Sequence, residues 1–284
     1  MLQLVVNGAM AGAVLAVPAI GFNTVYAVLR FANFAVGSIA SVGAFAGLFA
    51  NTLLGWPVWP SLLIAFLVAG AVGVVCDEAA LRPLRAAGPL TVAIGSVALA
   101  IVLENALRFA FGNDARGYDV PVYRDWHAIG LHVGPQQVFD ALAALFATAL
   151  LFGFLTFTRV GKMMRAVADD PALAALKGIE ARRVAQVASF TGLGLAGFGG
   201  MLVGLESQVD PLTGFRVLLS IFAAAVVGGL GSIPGAVAGA FLIGIGEEAS
   251  LMVLPAAYRG AVGFAAILLV LSFRPAGLLG QRAA

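Results

Sequence analysis

Long apolar runs separated by short polar breaks are the dominant pattern along the chain. A helix needs about 20 mostly apolar residues to cross a hydrocarbon core of roughly 30 Å. On that criterion the sequence predicts eight or nine membrane segments, and the fold class is an all-α, polytopic bundle of transmembrane helices in a single domain, 1–284. The segments lie near 4–29, 33–54, 58–76, 88–109, 136–158, 185–205, 216–231, 234–253 and 256–273.

The pair 216–231 and 234–253 is less regular than the other segments. A glycine-rich break that includes Pro234 separates two short apolar runs. Two short crossings and one broken or re-entrant helix both fit this pattern. Non-helical backbone at membrane depth has to be buried in protein or to face a water-filled cavity.

The longest charged interruption spans 159–183 and holds six basic and three acidic residues. The preceding membrane helix is expected to continue to about Ala168. Asp170 then offers an N-cap before Pro171, and Gly178 offers a left-handed C-terminal cap, which predicts a short separate helix. An ordinary charged connector and a docking helix are both compatible with this pattern. The apolar side of the short helix comprises Leu173, Leu176 and Ile179.

The distribution of Lys and Arg orients the chain. Placing 159–183 inside also places 77–87 and the tail from 274 inside, and it places 110–135, 206–216 and the region of Arg259 outside. The inner loops then carry ten basic residues and the outer loops five, and Arg30 lies at an inner boundary. The side of the N-terminus is left open. The inner ten are Arg82, Arg85, Arg159, Lys162, Arg165, Lys177, Arg182, Arg183, Arg274 and Arg282, and the outer five are Arg108, Arg116, Arg124, Arg216 and Arg259.

Composition excludes a soluble protein. With 61% hydrophobic and 11% charged residues and a mean hydropathy of +1.02, the chain cannot cover its own surface with polar groups. No polybasic stripe with interleaved aromatic residues is present, so no nucleic-acid partner is expected. Membrane lipid is the expected surrounding.

The outer segment 110–135 is expected to form a short β-like cap that could touch a soluble partner. It carries His127 and His132, which are expected on different faces of any regular element. Such a pair is weak evidence for a metal site, so no metal ligand is assigned.

Polar residues within the spans are candidates for the translocation pathway, because ionisable groups in the membrane are costly. Glu104 and Asn105 come late in their span, and a pairing of Glu104 with Arg108 one turn on is the structural alternative. Asn33 and Ser38 follow the break near Arg30. Exposure to a zwitterionic substrate and capping of the next helix by Asn33 are equally compatible readings.

Other polar positions are expected to be structural. Glu247 and Glu248 end a glycine-rich helix and are expected to be solvated near the outer surface, whereas Asn7 and Asn23 are expected to bond across helices. Glycines spaced four apart predict close helix packing. The late glycine block could alternatively act as a flexible gate. The glycine pairs are Gly8/Gly12, Gly43/Gly47, Gly200/Gly204 and Gly235/Gly239, and the gate candidates are Gly228, Gly229, Gly231, Gly235 and Gly239.

Four sequence blocks together resemble the permeases of branched-chain amino acid ABC importers, specifically their shorter, LivH-like subunit. Within 159–183, the matching positions are Gly161, Arg165, Ala166, Ala168, Asp170, Ala174, Ala175, Gly178 and Ile179. The others are Tyr26 with Asn33-Phe34 and Gly37, the glycine block from Gly228 to Gly239 followed by Glu247, and Arg274 with Gly277 and Gly280. The chain departs from the family where a His and a Glu are usual, at Val36 and Ser38.

The resemblance implies a cytoplasmic coupling helix, with Arg165, Ala166, Asp169, Asp170, Ala174, Gly178 and Ile179 at the contact with an ATPase. It also implies two cytoplasmic ABC ATPase subunits, an extracytoplasmic substrate-binding protein, and a second permease that is either LivM-like or another copy. No phosphate-binding G-x-x-x-x-G-K-[ST] motif occurs, because Lys162 is followed by Met163. ATP and Mg²⁺ are therefore expected on partner subunits, and this chain is expected to be a non-enzymatic transport subunit without a cofactor.

The implied function is translocation of amino acids, branched-chain or hydrophobic, across the bacterial inner membrane. A permease for urea or amides is an alternative, and Val36 and Ser38 weaken the narrower substrate assignment. A secondary transporter would usually place coupling-ion carboxylates near mid-membrane, where only Glu104 is a marginal candidate. An intramembrane enzyme is disfavoured because no catalytic constellation is evident.

Overall fold

Helices dominate the computed structural model of the chain, which describes residues 2–121, 126–128, 131–253, 255, 258–274 and 276–280. The elements are α1 (Leu2–Leu29), α2 (Val36–Leu48), α3 (Val58–Cys76), α4 (Arg82–Leu84), α5 (Pro89–Phe111), β1 (Trp126–Ala128), β2 (Leu131–Val133), α6 (Pro135–Phe157), α7 (Arg159–Asp169), α8 (Pro171–Leu176), α9 (Ala181–Glu206), α10 (Thr213–Gly228), α11 (Ile233–Ser250) and α12 (Arg259–Phe273). α2 continues into a π-helical turn, Phe49–Leu53. α3 continues into another, Asp77–Leu81, and a 3-10 turn, Arg85–Ala87, follows α4.

The predicted polytopic helical bundle is confirmed. Six helical stretches in the described part of the chain are long and apolar enough to cross a membrane. α10 and α12 are shorter, with 16 and 15 residues, and α11 has 18. These three helices match the last three predicted segments. The six stretches are Leu2–Leu29, Val36–Leu53, Val58–Ala87, Pro89–Phe111, Pro135–Phe157 and Ala181–Glu206.

α9 is the common packing partner of α1, α2 and α3. Its glycines allow this closeness: Gly197 lies against the backbone of Gly43 in α2, and a methyl group on Gly194 would come within 2.8 Å of the Phe66 ring in α3. Small residues let membrane helices approach at backbone distance. The predicted packing role of the glycines is confirmed at these contacts.

α10 and α11 form an antiparallel hairpin around the glycine break. Gly228 meets Gly235 across the hairpin. The turn has left-handed backbone at Gly229 (φ 111°) and Gly231 (φ 83°), which favours glycine. The Ser232 hydroxyl then accepts a hydrogen bond from the Gly235 amide at 3.2 Å and caps α11.

α11 also runs antiparallel to α1 over much of its length. A methyl group on Gly8 would lie 2.7 Å from the Cα of Ile245. At the other end the Asn23 amide donates to the carbonyls of Gly229 (3.1 Å) and Ser232 (2.9 Å), which confirms that Asn23 bonds across helices. α10 and α11, with 16 and 18 residues, are about 24 and 27 Å long. This geometry favours two short crossings over one broken helix.

Contacts between loops agree with the predicted sides of the membrane. On the inner side, the Arg30 guanidinium donates to the carbonyl of Ala168. On the outer side, Arg116 pairs with Val209 through two backbone hydrogen bonds of 2.8 and 2.9 Å. The side-chain amide of Gln3 donates a hydrogen bond to the His132 carbonyl and accepts one from the His132 backbone amide in the outer hairpin. The start of α1 therefore lies on the outer side. Arg124 and Arg282 lie outside the described residues.

The expected β-like cap is present as the hairpin β1–β2. Its register pairs His127 with His132, and paired positions on adjacent antiparallel strands share one face. The expectation that these two positions lie on different faces is therefore wrong. Spacing alone could not indicate this, because the reversal of the chain between them sets the register.

Candidate functional site

The charged segment begins with a break. α6 ends at Phe157, and the Thr158 hydroxyl accepts a hydrogen bond from the Gly161 amide at 3.0 Å, which starts α7 as a new helix. Gly161 packs directly on the backbone of Leu155, so α7 folds back against the last turn of α6. The prediction that the membrane helix continues to about Ala168 is wrong, because the Thr158 cap ends one helix and begins another.

α7 is anchored on the bundle by one face. Met164 and Val167 are buried, and α7 contacts α1, α6 and α9. On the other faces Arg165 and Asp169 are exposed and Ala166 is half-buried. The segment therefore presents its charges outward from a fixed position.

α8 has the caps that the sequence predicts. The Asp170 carboxylate accepts hydrogen bonds from the amides of Ala172 and Leu173, both at 2.9 Å, and Pro171 occupies the first turn. Gly178 has φ 78°, and the Ile179 amide closes the helix by donating to the Ala174 carbonyl at 3.1 Å. The short capped helix is confirmed.

α8 leaves large apolar side chains uncovered. Ala174 is buried against the subunit, whereas Leu173 is 53% and Leu176 85% exposed. Ile179 is half-buried and Gly178 is exposed. Two exposed leucines on a short capped helix, flanked by Asp170 and Lys177 and outside the apolar spans, form a surface suited to another protein.

Asn33 and Ser38 are both buried inside the subunit. Asn33 is 2% exposed, and its side-chain oxygen accepts a hydrogen bond from the Ala35 amide at 3.0 Å. α2 begins one residue later, so Asn33 fixes the turn into α2, although it is not the N-cap residue itself. Ser38 is 5% exposed in the first turn of α2. A role of either residue in the pathway stays a prediction.

Glu104 and Asn105 lie on α5 with different surroundings. Glu104 pairs with Arg108 at 2.5 Å, so the expected i,i+4 pair is confirmed. Asn105 is exposed and donates to the carbonyl of Ile101 at 2.8 Å. Within the described residues, no hydrogen bond joins either side chain to Asn33 or Ser38. Contact of these four residues with a substrate stays a prediction.

The late glycine block meets the end of the chain. Leu278 and Leu279 donate from their backbone amides to Val227 (2.9 Å) and Gly228 (3.0 Å), and Gly277 approaches Gly229. Across the hairpin, Gly239 packs on Ala224. Two of the four sequence blocks that resemble the family, the late glycine block and the closing block from Arg274, therefore pack against each other. A role of the glycine block as a flexible gate stays a prediction.

Glu247 is not solvated, contrary to expectation. It is 7% exposed and accepts a 2.5 Å hydrogen bond from the Ser220 hydroxyl on α10. The expectation was wrong because a position near a helix end was assumed to be surface, whereas α10 covers this face of α11. Glu248 accepts from Asn7 at 3.4 Å, which confirms that Asn7 bonds across helices.

Sequence reasoning missed a polar cluster at the inner end of α3. Asp77, 2% exposed, accepts from Arg85 at 2.5 and 2.6 Å and from Ser189 at 3.2 Å. Glu78 accepts from Arg82 at 2.7 Å and, across the bundle, from Arg182 at 3.1 Å and Gln186 at 3.0 Å. The i,i+4 spacing of Glu78 and Arg82 is a pattern from which their pairing could have been predicted. No pattern in the sequence indicates the bonds that Asp77 and Glu78 make to α9.

Two outer cavities were also missed. One, of about 390 Å³, lies between the turn after α2 and the start of α6, with Trp56, Trp59 and Phe139 in its wall. The other, of about 550 Å³, lies at the start of α10 beside the ion pair of Asp210 and Arg216. Nearby, burial raises the pKa of Tyr118, whose hydroxyl donates to the Ala44 carbonyl at 2.8 Å.

In the described part of the chain, no group of three or more His, Cys, Asp or Glu side chains could hold a metal ion.

Comparison with known proteins bears on the whole length of the chain. The family described as "Branched-chain amino acid transport system / permease component" matches residues 4–271. The high-affinity branched-chain amino acid transport system permease protein BraD of Pseudomonas aeruginosa is 31% identical over 99% of this chain and 96% of its own. The corresponding protein LivH of Escherichia coli K12 is 30% identical with the same coverage. Among solved structures, a chain of PsaBC from Streptococcus pneumoniae in complex with Fab has a TM-score of 0.50 at 14% identity, over 96% of this chain and 92% of that one.

Proposed function

Because the chain belongs to the family of branched-chain amino acid transport permeases, we propose that it carries branched-chain or other hydrophobic amino acids across the bacterial inner membrane. It is a multi-pass subunit of an ABC transporter. Named relatives that span nearly its full length are permeases for branched-chain amino acids, which supports this substrate class.

The observation that carries the mechanism is the uncovered face of α8. Leu173 and Leu176 are exposed on a helix that is capped at both ends. A link of four residues connects this helix to α9. A partner ATPase that holds this face would move α8, and α9 would follow as a rigid element. ATP hydrolysis belongs to that partner, because the chain lacks the phosphate-binding motif.

A second permease subunit completes the pathway in this proposal. The partner is a related, LivM-like chain or a second copy of this one, and a substrate-binding protein delivers the amino acid at the outer face. Asn33, Ser38, Glu104 and Asn105 are the candidates on this chain for contact with the substrate.

Urea and small amides remain the alternative substrates. The observation in their favour is that Val36 and Ser38 stand where the resembled family usually has His and Glu, and both are buried at the start of α2. A different pair at this position would alter the polarity that a solute meets there.

Uptake by the reconstituted assembly tests both substrate classes. Proteoliposomes that hold this chain with its ATPases, second permease and binding protein should accumulate labelled leucine in an ATP-dependent manner. Unlabelled isoleucine and valine should compete, and urea and acetamide should not. Competition by urea or acetamide alone would replace the amino acid assignment with the alternative.

Co-purification tests the docking face. Leu173→Ser with Leu176→Ser should release the ATPases, because both side chains are exposed and their loss leaves the subunit core intact. The matched control is Leu53→Ser, an exposed leucine (69%) at the end of the π-helical turn that follows α2 on the outer side. Equal ATPase recovery from both variants would contradict docking on α8.

A further inference from the structure

The polar cluster at the inner end of α3 joins three parts of the chain. We name it the inner clamp, and its members are Asp77, Glu78, Arg85, Arg182, Gln186 and Ser189. Asp77 and Glu78 belong to the π-helical turn after α3. Arg182, Gln186 and Ser189 lie in the first turns of α9, immediately after the link from α8. The clamp therefore ties the connector 77–87 to the end of α9 that receives α8.

The clamp has a buried half and an accessible half. Asp77 is almost fully buried, and it holds Arg85 through both carboxylate oxygens and Ser189 through one. Glu78 is 21% exposed at its side chain and Arg182 54%, with 3.1 Å between their charged atoms. An accessible ion pair of this kind contributes little to static stability, so the stability of the fold does not depend on it.

Helix contacts show what the clamp could transmit. α5 packs mainly on α2 and on the connector, whereas α1, α2 and α3 pack directly on α9. α3 is already held to α9 by glycine contacts such as Gly70 on Phe190. α5 is therefore joined to α9 by two routes, through α2 and through the connector. The connector is the route at the inner end of α9, and Glu78 with Arg182 is its charged link.

We propose that Glu78 and Arg182 are positioning residues that make the connector 77–87 and the inner end of α5 move with α9 when a partner displaces α8. α5 then shifts in step with the central helix, so that ATP-driven movement of α8 reaches the helix that carries Glu104. This inference rests on the proposed function and extends it beyond the docking face.

The test compares neighbouring arginines. Arg182→Ala removes the bond to Glu78, whereas Arg183→Ala removes an exposed i,i+3 pair with Glu180 that does not reach the connector. In the reconstituted assembly, leucine uptake per ATP hydrolysed should fall at least about twofold in the first variant. It should not change in the second. Arg182→Lys, which keeps the charge, should restore most of the ratio, and Glu78→Gln should resemble Arg182→Ala.

A spin label at the start of α5 reports the movement itself. Leu90 is 74% exposed, so Leu90→Cys in a Cys76→Ser background can be labelled with little disturbance. ATP binding should change the label spectrum in the parent protein and in Arg183→Ala, but not in Arg182→Ala.

An unchanged uptake ratio together with a retained spectral response in Arg182→Ala would overturn the proposal. If the ATPases do not dock on α8, the result is different, because the double variant of Leu173 and Leu176 would then keep its ATPases. Release of the ATPases in that variant, with normal coupling in Arg182→Ala, would contradict the clamp alone.

Discussion

At Gly43 and Gly197 the backbones of α2 and α9 meet with no side chain between them. We expect Gly43→Val to destabilise the subunit by about 1–3 kcal/mol or more, because the added methyl groups have no space. Thermal unfolding in detergent measures this loss. Gly153→Val on α6 is the control, since a methyl group there would meet nothing within 4 Å. Similar melting temperatures for the two variants would be inconsistent with the packing.

A buried hydrogen bond gives a second prediction for single residues. Ser220→Ala removes the donor to the Glu247 carboxylate, and we expect a loss of about 1–3 kcal/mol because a buried acceptor loses a partner. Ser272→Ala is the control, since its exposed hydroxyl donates to the carbonyl one turn back and, among the residues that the structure describes, to no other group. Guanidinium unfolding of both variants would reveal the difference, and equal midpoints would argue against a contribution from this bond.

Sequence reasoning was most accurate for residues whose partners are close along the chain. Asp170, Pro171 and Gly178 punctuate α8 within nine positions, and Glu104 meets Arg108 one turn on. Glu78 and Arg182 are 104 positions apart, and Ser220 and Glu247 are 27 apart. No local pattern records which distant helix covers a side chain, so these bonds needed the fold.

At the scale of elements, α8 depends on the conformation of one glycine. Gly178 has φ 78°, where a β-branched residue costs roughly 1–2 kcal/mol or more. We expect Gly178→Val to disturb the junction of α8 and α9, and so to leave ATP hydrolysis running while leucine uptake falls. The subunit should still insert, because a side chain at this exposed position meets nothing within 4 Å.

Gly55 provides the matched control for that change. It has φ 66° in the outer turn before α3, and a methyl group there also meets nothing within 4 Å. Gly55→Val imposes similar backbone strain away from α8, so uptake per ATP should stay at the parent value. Normal uptake in Gly178→Val would contradict the coupling role of α8.

Element boundaries show where local patterns fail. The nine apolar segments were each found as a helix, because hydrophobic length is a property of one stretch. The break at Thr158 was missed, since a threonine between an apolar and a charged helix permits either a continuous helix or a cap. Packing of Gly161 on Leu155 decides between them, and that contact exists only in the folded chain.

At the scale of the whole molecule, the sidedness of the bundle is directly testable. In a Cys76→Ser background, Val5→Cys should react with a membrane-impermeant maleimide added outside intact cells, because α1 begins at the outer hairpin. Lys177→Cys should react only in inverted vesicles. Labelling of both from the same side would contradict the orientation that the loop contacts and the distribution of basic residues indicate.

The central place of α9 has a consequence for biosynthesis. α1 and α2 contact each other little, and both pack extensively on α9, which follows them by more than 130 residues, while α1 packs on the still later α11 as well. During synthesis the first three helices enter the membrane before their shared partner, α9, has been made. Until then, the glycine surfaces that later pack on α9 have no partner helix. This interval is when early helices are open to capture by quality-control proteases. Truncations that stop before α9 should be degraded rapidly, whereas those that extend through α9 and α11 should persist.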